Sequence, residues 1–172
     1  MSTNLVRPAQ LSDVTTLATL MIEFYAEADF TLSRDAAQRT FEQLIRWPER
    51  GCVWILECDA GVAGFIVLTL AYAMEYGGLR GFVDDFFVRP AFRKQGLGAL
   101  ALARVKAHCV ANGVRALFVQ TGSDNGPAGR VYKRAGFTDT GHQLLVQPIA
   151  SPIHLKRLPP AATRVAARAS RR

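Results

Sequence analysis

The sequence contains no apolar run approaching the roughly 18 residues of a membrane span. Its first residues lack the charged, apolar, then small-residue order of an export signal. Both absences predict a cytoplasmic protein with no membrane partner. Cysteine is scarce: Cys52, Cys58 and Cys109 are the only three in 172 residues, with no Cys-x-x-Cys pair. Cys52 and Cys58 fall six apart in one strand-like run and face the same side, an arrangement unsuited to bridging each other. The three histidines, His108, His142 and His154, show no metal-ligand spacing, so no metal is expected. Acidic residues are missing altogether from Lys156 to Arg172, where six basic ones stand. Those six account for most of the net charge of +7 and leave a body near +1. This distribution favours a solvated, poorly ordered tail over a nucleic-acid surface.

What is present suits one domain over residues 1–155, with residues 156–172 as the tail. Thr3 to Arg7 reads as a strand. Ser12 is positioned to cap a helix to about Ala28, and Ser33 a second one ending near Trp47, before Pro48. Cys52–Cys58, Val62–Met74 and Gly81–Val88 read as three strands with short connections, hence an antiparallel meander. A helix from about Gln95 to Asn112, a strand at Arg115–Gln120 and a short helix from Asn125 to Ala135 follow. Two final strands are expected near Phe137–Thr140 and His142–Pro148. The order β-α-α-β-β-β-α-β-α-β-β predicts an α/β (α+β) domain, a mixed, mostly antiparallel sheet flanked by helices.

The chemistry concentrates between Asp84 and Gly98. An apolar strand ends at Val88, a short loop follows, and Arg93-Lys-Gln-Gly-Leu-Gly98 opens a helix. N–H groups in a first helical turn lack intrahelical partners. Glycines there admit a ligand close to the backbone, and the helix dipole with Arg93 and Lys94 favours an anion. No Gly-Lys-Ser/Thr follows, and the spacing departs from Gly-x-Gly-x-x-Gly, so neither a P-loop nor a dinucleotide fingerprint fits. The segment reads as a diphosphate-binding device.

Arg93-x-x-Gly96-x-Gly98 resembles the Arg/Gln-x-x-Gly-x-Gly/Ala signature of GNAT superfamily N-acetyltransferases. Three further landmarks stand in that family's order: Leu5-Val-Arg-Pro-Ala with Asp13, the strand Val83–Val88, and Asn125, Ala128, Tyr132 and Gly136-Phe137. The Asp-Asp-Phe-Phe-Val strand is most similar to the spermidine/spermine (diamine) N-acetyltransferase group. The resemblance spans about Leu5 to Pro148. It implies a GNAT fold, acetyl-CoA as cofactor and a homodimer. It places the pyrophosphate on backbone amides of Lys94, Gln95, Gly96, Leu97, Gly98 and Ala99. Phe86, Phe87 and Val88 would offer backbone to the acetyl end, with Asn125 and Ala128 on the other side. Tyr132 matches the family's general acid.

An alkylammonium must lose a proton before it attacks, and Asp84 is the first expectation for the acceptor of that proton. By period two it would share a face with Phe86 and Val88, leaving Asp85 on the opposite face; Glu75 could replace either. Glu23, Tyr25, Glu27, Asp29, Glu75, Tyr76, Asp84 and Asp85 fall in the segments that shape the acceptor pocket in that family, with Glu27, Glu75, Asp84 and Asp85 as substrate-binding candidates. Acidic and aromatic groups together suit a small cationic amine. Alternatives left open are a protein or peptide amine as acceptor, and a non-catalytic acyl-CoA-binding regulator.

Overall fold

The computed structural model describes residues 4–122, 126–150 and 153–155. The Lys156–Arg172 tail and Asn125 therefore lie outside the described residues. Strand β1 (Leu5–Pro8) enters the edge of a five-stranded sheet. Helix α1 (Val14–Ala26) follows a single tight turn at Leu11–Asp13. That turn is closed by Asp13, whose carboxylate accepts from the Gln10 N–H at 2.8 Å, so Ser12 is not the cap. Arg7 holds Asp13 by two bonds of 2.8 and 2.9 Å and also reaches Glu57, which fixes the N-terminal strand to the start of α1. A two-residue strand β2 (Thr31–Leu32) precedes α2 (Arg34–Arg46), which Ser33 caps as expected by accepting from the Ala36 N–H.

Strands β3 (Gly51–Cys58), β4 (Gly61–Ala73) and β5 (Gly78–Val88) form the antiparallel meander. Helix α3 (Leu97–Ala111) then crosses to β6 (Ala116–Val119), which pairs parallel with β5 in the order β1-β3-β4-β5-β6. Helix α4 (Gly126–Arg134) follows. Each face of the sheet buries its own core. Leu17, Phe41, Phe65, Val67 and Phe87 join α1 and α2 to one face. Ile66, Leu68, Val83, Leu97 and Val105 join α3 to the other.

The two strands expected after α4 are not formed: residues 137–150 are non-regular. The cause is local. Asp139 Oδ1 accepts from the Gly141 N–H, Thr140 Oγ1 accepts from the His142 N–H, and Gly141 has φ +70°. These short-range bonds take donors that a strand ladder would need. Strand β7 (His154–Leu155) instead pairs antiparallel with β2 as a separate two-stranded sheet.

Candidate active site

The site is organised by one irregularity in β5. Ile66 pairs with Phe86 and Leu68 with Val83, so Val67 alone stands opposite both Asp84 and Asp85. This β-bulge breaks the period-two alternation. Phe86 and Val88 pack with the α3 core, Phe87 with the α1 and α2 core. Asp84 and Asp85 both line a cavity of about 230 Å³ between the sheet and α2. The sequence-based faces are thus corrected: Asp84 does not share a face with Phe86 and Val88, and Asp85 is not opposite Asp84.

Burial, then the neighbouring Asp84 charge, pushes the Asp85 carboxyl up to about 6, against a smaller lowering by the Tyr25 hydroxyl 3.4 Å away. Burial also raises Asp84, the more exposed of the two. Burial and the two aspartates hold the Tyr25 hydroxyl above the ordinary tyrosine range, so it stays protonated.

The bulge coincides with the opening of the sheet. Pairing between β5 and β6 runs from Arg80 with Ala116 to Val83 with Val119 and stops there. From Asp84 to Val88 the β6 side of β5 has no strand neighbour among the described residues. This unpaired stretch, the slot, lies at Phe86, Phe87 and Val88, where the family resemblance leads one to expect the acetyl end.

Beyond the slot lies the loop into α3. Lys94 (φ +63°) and Gly96 (φ +84°) are both left-handed, and Gly96 is the N-cap of α3. Directly after it come Leu97, Gly98 and Ala99, first-turn residues whose amides have no intrahelical acceptor. A Cβ on Gly98 would lie 3.6 Å from both Phe86 Cζ and Val131 Cγ1, so β5 and α4 both border the start of α3. Lys94 forms no ion pair among the described residues. Gln95 fastens the loop: its side chain donates to the Ala91 carbonyl and its own carbonyl accepts from Asn4.

Arg93 departs from expectation. Its guanidinium binds Glu27 at 2.6 and 2.8 Å and donates from Nε to the Val88 carbonyl at 2.7 Å. One turn earlier on α1, Glu23 takes a matching pair of bonds from Arg89, which also reaches the Val62 carbonyl. The two arginines clamp α1 to the end of β5. Glu23 and Glu27 are thus committed to the scaffold, and Arg93 positions the loop. Glu75 sits in the turn joining β4 to β5, eight residues along from Val67 and about 26 Å away at strand spacing, and is not among the residues that line the cavity.

Tyr132 lies on the α3 side. Its ring packs edge-on against Phe137 (centroids 5.7 Å apart) and near Phe86 (6.5 Å), and burial raises its hydroxyl. Ala128 is half-buried one turn earlier on α4. The Tyr132 hydroxyl and the two carboxylates thus lie on opposite faces of the sheet. Among the described residues, no group of three or more His, Cys, Asp and Glu is placed to hold a metal. No helix there is long and apolar enough to cross a membrane.

Residues 17–137 match the family model described as acetyltransferase (GNAT) family. The chain belongs to that family. It is accordingly an acetyl-CoA-dependent N-acetyltransferase of the GNAT type. A solved integron cassette protein from the mobile metagenome of Cole Harbour salt marsh is 52% identical, with a TM-score of 0.80 over 86% of this chain and 92% of that one. The aminoglycoside N-acetyltransferase AAC(6')-Iy in complex with CoA shares the fold at 18% identity, TM-score 0.75, over 87% and 97% of the two chains. A predicted acetyltransferase with acetyl-CoA from Clostridium acetobutylicum does so at 16% identity, TM-score 0.70, over 84% and 96%. No curated protein sequence matches.

The residues of the loop into α3 are compatible with an anionic group: left-handed Lys94 and Gly96 precede a helix start, and Lys94 forms no ion pair among the described residues. Its two glycines are not equivalent. Gly96 needs φ +84°, whereas a Cβ on Gly98 meets only ordinary contacts. Gly96→Ala should cost about 1–2 kcal/mol of left-handed strain and lower Tm by roughly 4 °C in a domain of this size. Gly98→Ala should leave Tm within about 1 °C. Thermal melts check the order; a more damaging Gly98→Ala would contradict it.

Proposed function

We propose that the protein transfers acetyl to the primary amine of a small cationic acceptor by direct attack in a ternary complex. The observation that carries this reading is the bulge at Val67. It turns Asp84 and Asp85 into one cavity at the point where β5 leaves β6. Acetyl-CoA supplies the acetyl group as a thioester. The amides of Lys94 to Ala99 would hold its diphosphate, with Ala128 of α4 bordering it. Backbone at Phe86–Val88 lines the acetyl end, and a backbone N–H there can polarise a carbonyl.

The acid pair attracts the ammonium of the acceptor. Asp85, pushed up to about 6, accepts its proton near neutral pH, directly or through water. Asp84 sustains the raised value by like-charge repulsion and binds the cation. Tyr132 gives a proton to the departing thiolate. A diamine, as the sequence resemblance implies, offers one suitable ammonium. We also infer a cytoplasmic homodimer, a state that light scattering reads directly. Its support is the exposed apolar run of Leu144, Leu145, Val146 and Ile149.

Initial rates at several concentrations of acetyl-CoA and amine test the ternary complex. Intersecting double-reciprocal lines, with no acetyl adduct on the intact protein, are expected. Parallel lines with a stable acetyl-protein would show a covalent route and overturn the mechanism.

A further inference from the structure

The acceptor cavity has a second pole, of opposite charge to the acid pair. Trp47 is the C-cap of α2, and Arg50 precedes β3 directly. The Arg50 guanidinium lies over the Trp47 ring, 4.3 Å from its centroid. Two backbone bonds fix the segment: the Arg50 N–H donates to the Trp47 carbonyl at 2.9 Å, and the Leu70 N–H donates to the Arg50 carbonyl at 2.8 Å. Arg50 forms no ion pair among the described residues, although the same cavity carries Asp84 and Asp85. The acid pair also has no cationic partner there. Opposite charges thus line one small cavity without neutralising each other.

Register gives their separation. The carboxylates face Val67, and Gly51, next to Arg50, pairs with Thr69. Arg50 itself falls opposite Leu70, three residues from Val67, so the poles are about 10 Å apart along the strands and two strand spacings of about 4.8 Å across, a gap narrowed by the reach of both side chains. Between them the wall is apolar, with Met21, Phe41, Leu44 and Val67. Thr40 and Gln43 of α2 add neutral polar groups near the rim.

Resting on the acetyltransferase reading, we infer that the acceptor is bifunctional: a primary amine at Asp84 and Asp85, and an anionic group, carboxylate or phosphate, at Arg50. The planar guanidinium matches either anion by a paired hydrogen bond, and its stacking on Trp47 holds the fork in place. The second ammonium of a diamine would instead meet Arg50 as a like charge. The cavity of about 230 Å³ is large enough for an amino acid or an amino-sugar phosphate.

The test compares acceptors matched in length: 1,4-diaminobutane, 4-aminobutyrate and L-lysine, with O-phosphoethanolamine and glucosamine 6-phosphate as the phosphate arm. Wild-type protein should acetylate an amino acid or an amino phosphate with kcat/KM at least about 10-fold above that of the diamine. Which arm leads identifies the anion. Arg50→Ala should raise KM for the anionic acceptor about 10- to 100-fold with little change in kcat, and Arg50→Lys should recover part of it. Arg50→Glu should reverse the order and favour the diamine. Circular dichroism confirms that the variants are folded, and the wild-type preference needs no variant. A wild type that prefers the diamine, with no KM change in Arg50→Ala, overturns the inference and leaves the acetyltransferase reading intact. Turnover of no amine at all, from any arm, would overturn that reading instead.

Discussion

Tyr132→Phe is expected to lower kcat about 100-fold while CoA affinity stays within about twofold. The ring remains, and with it the contacts to Phe86 and Phe137 that seat α4 against the slot. Only the hydroxyl is lost. Burial already holds that hydroxyl in its protonated form at neutral pH, the form needed to meet a leaving thiolate. The loss should fall on kcat, because the proton is needed as the carbon–sulfur bond breaks and not while substrates bind. Stopped assays for kcat, with calorimetry for CoA, separate the two. Unchanged turnover with unchanged CoA affinity would instead favour a protein that binds acyl-CoA without using Tyr132.

Asp85→Asn is expected to cut kcat/KM about 100-fold near pH 7 and to remove the acidic limb of its pH profile. In the wild type, kcat/KM should rise through about pH 6 as Asp85 ionises. The same substitution should stabilise the fold. A carboxyl raised from 3.8 to about 6 by folding carries a penalty that is full above the folded value and vanishes below the unfolded one. Asp85→Asn should therefore have a higher Tm than wild type at pH 7–8, and the gain should fade below about pH 4. Lower activity together with higher stability is the mark of a charge kept for chemistry. A variant less stable at pH 7 would mean that ionised Asp85 is a scaffold group. Asp84 and Asp85 titrate as an interacting pair, so the profile belongs to both.

The loop and helix start at Arg93–Gly98 are legible in the sequence because they depend on local features. Glycines at a helix start, a preceding apolar strand and ordered landmarks require no knowledge of long-range register. The same holds for the meander and for the Ser33 cap. The acid pair was legible in composition but not in direction. Period two put Asp84 and Asp85 on opposite faces, and only the pairing of β4 with β5 shows two residues opposing Val67. A bulge is a relation between strands and leaves no mark on one of them.

Arg93 was read as a free charge for the same reason: its partner Glu27 is 66 positions away. Arg50 and Trp47 were passed over because Trp47 served only to mark a helix end, and their place beside the acid pair follows from the folding of α2 over the sheet. The strands expected after α4 were lost to turn-forming bonds at Asp139 and Thr140, side chains that compete with a ladder.

The most direct test is a single time course with protein, acetyl-CoA and an amino-acid acceptor, measuring free thiol and acetylated amine together. The account predicts that both appear one for one and that neither appears without protein. Thiol release without acetylated amine would show a hydrolase, and no thiol at all would leave the Lys94–Ala99 cradle without its chemistry. Either result would contradict the assignment of this cavity and slot to amine acetylation.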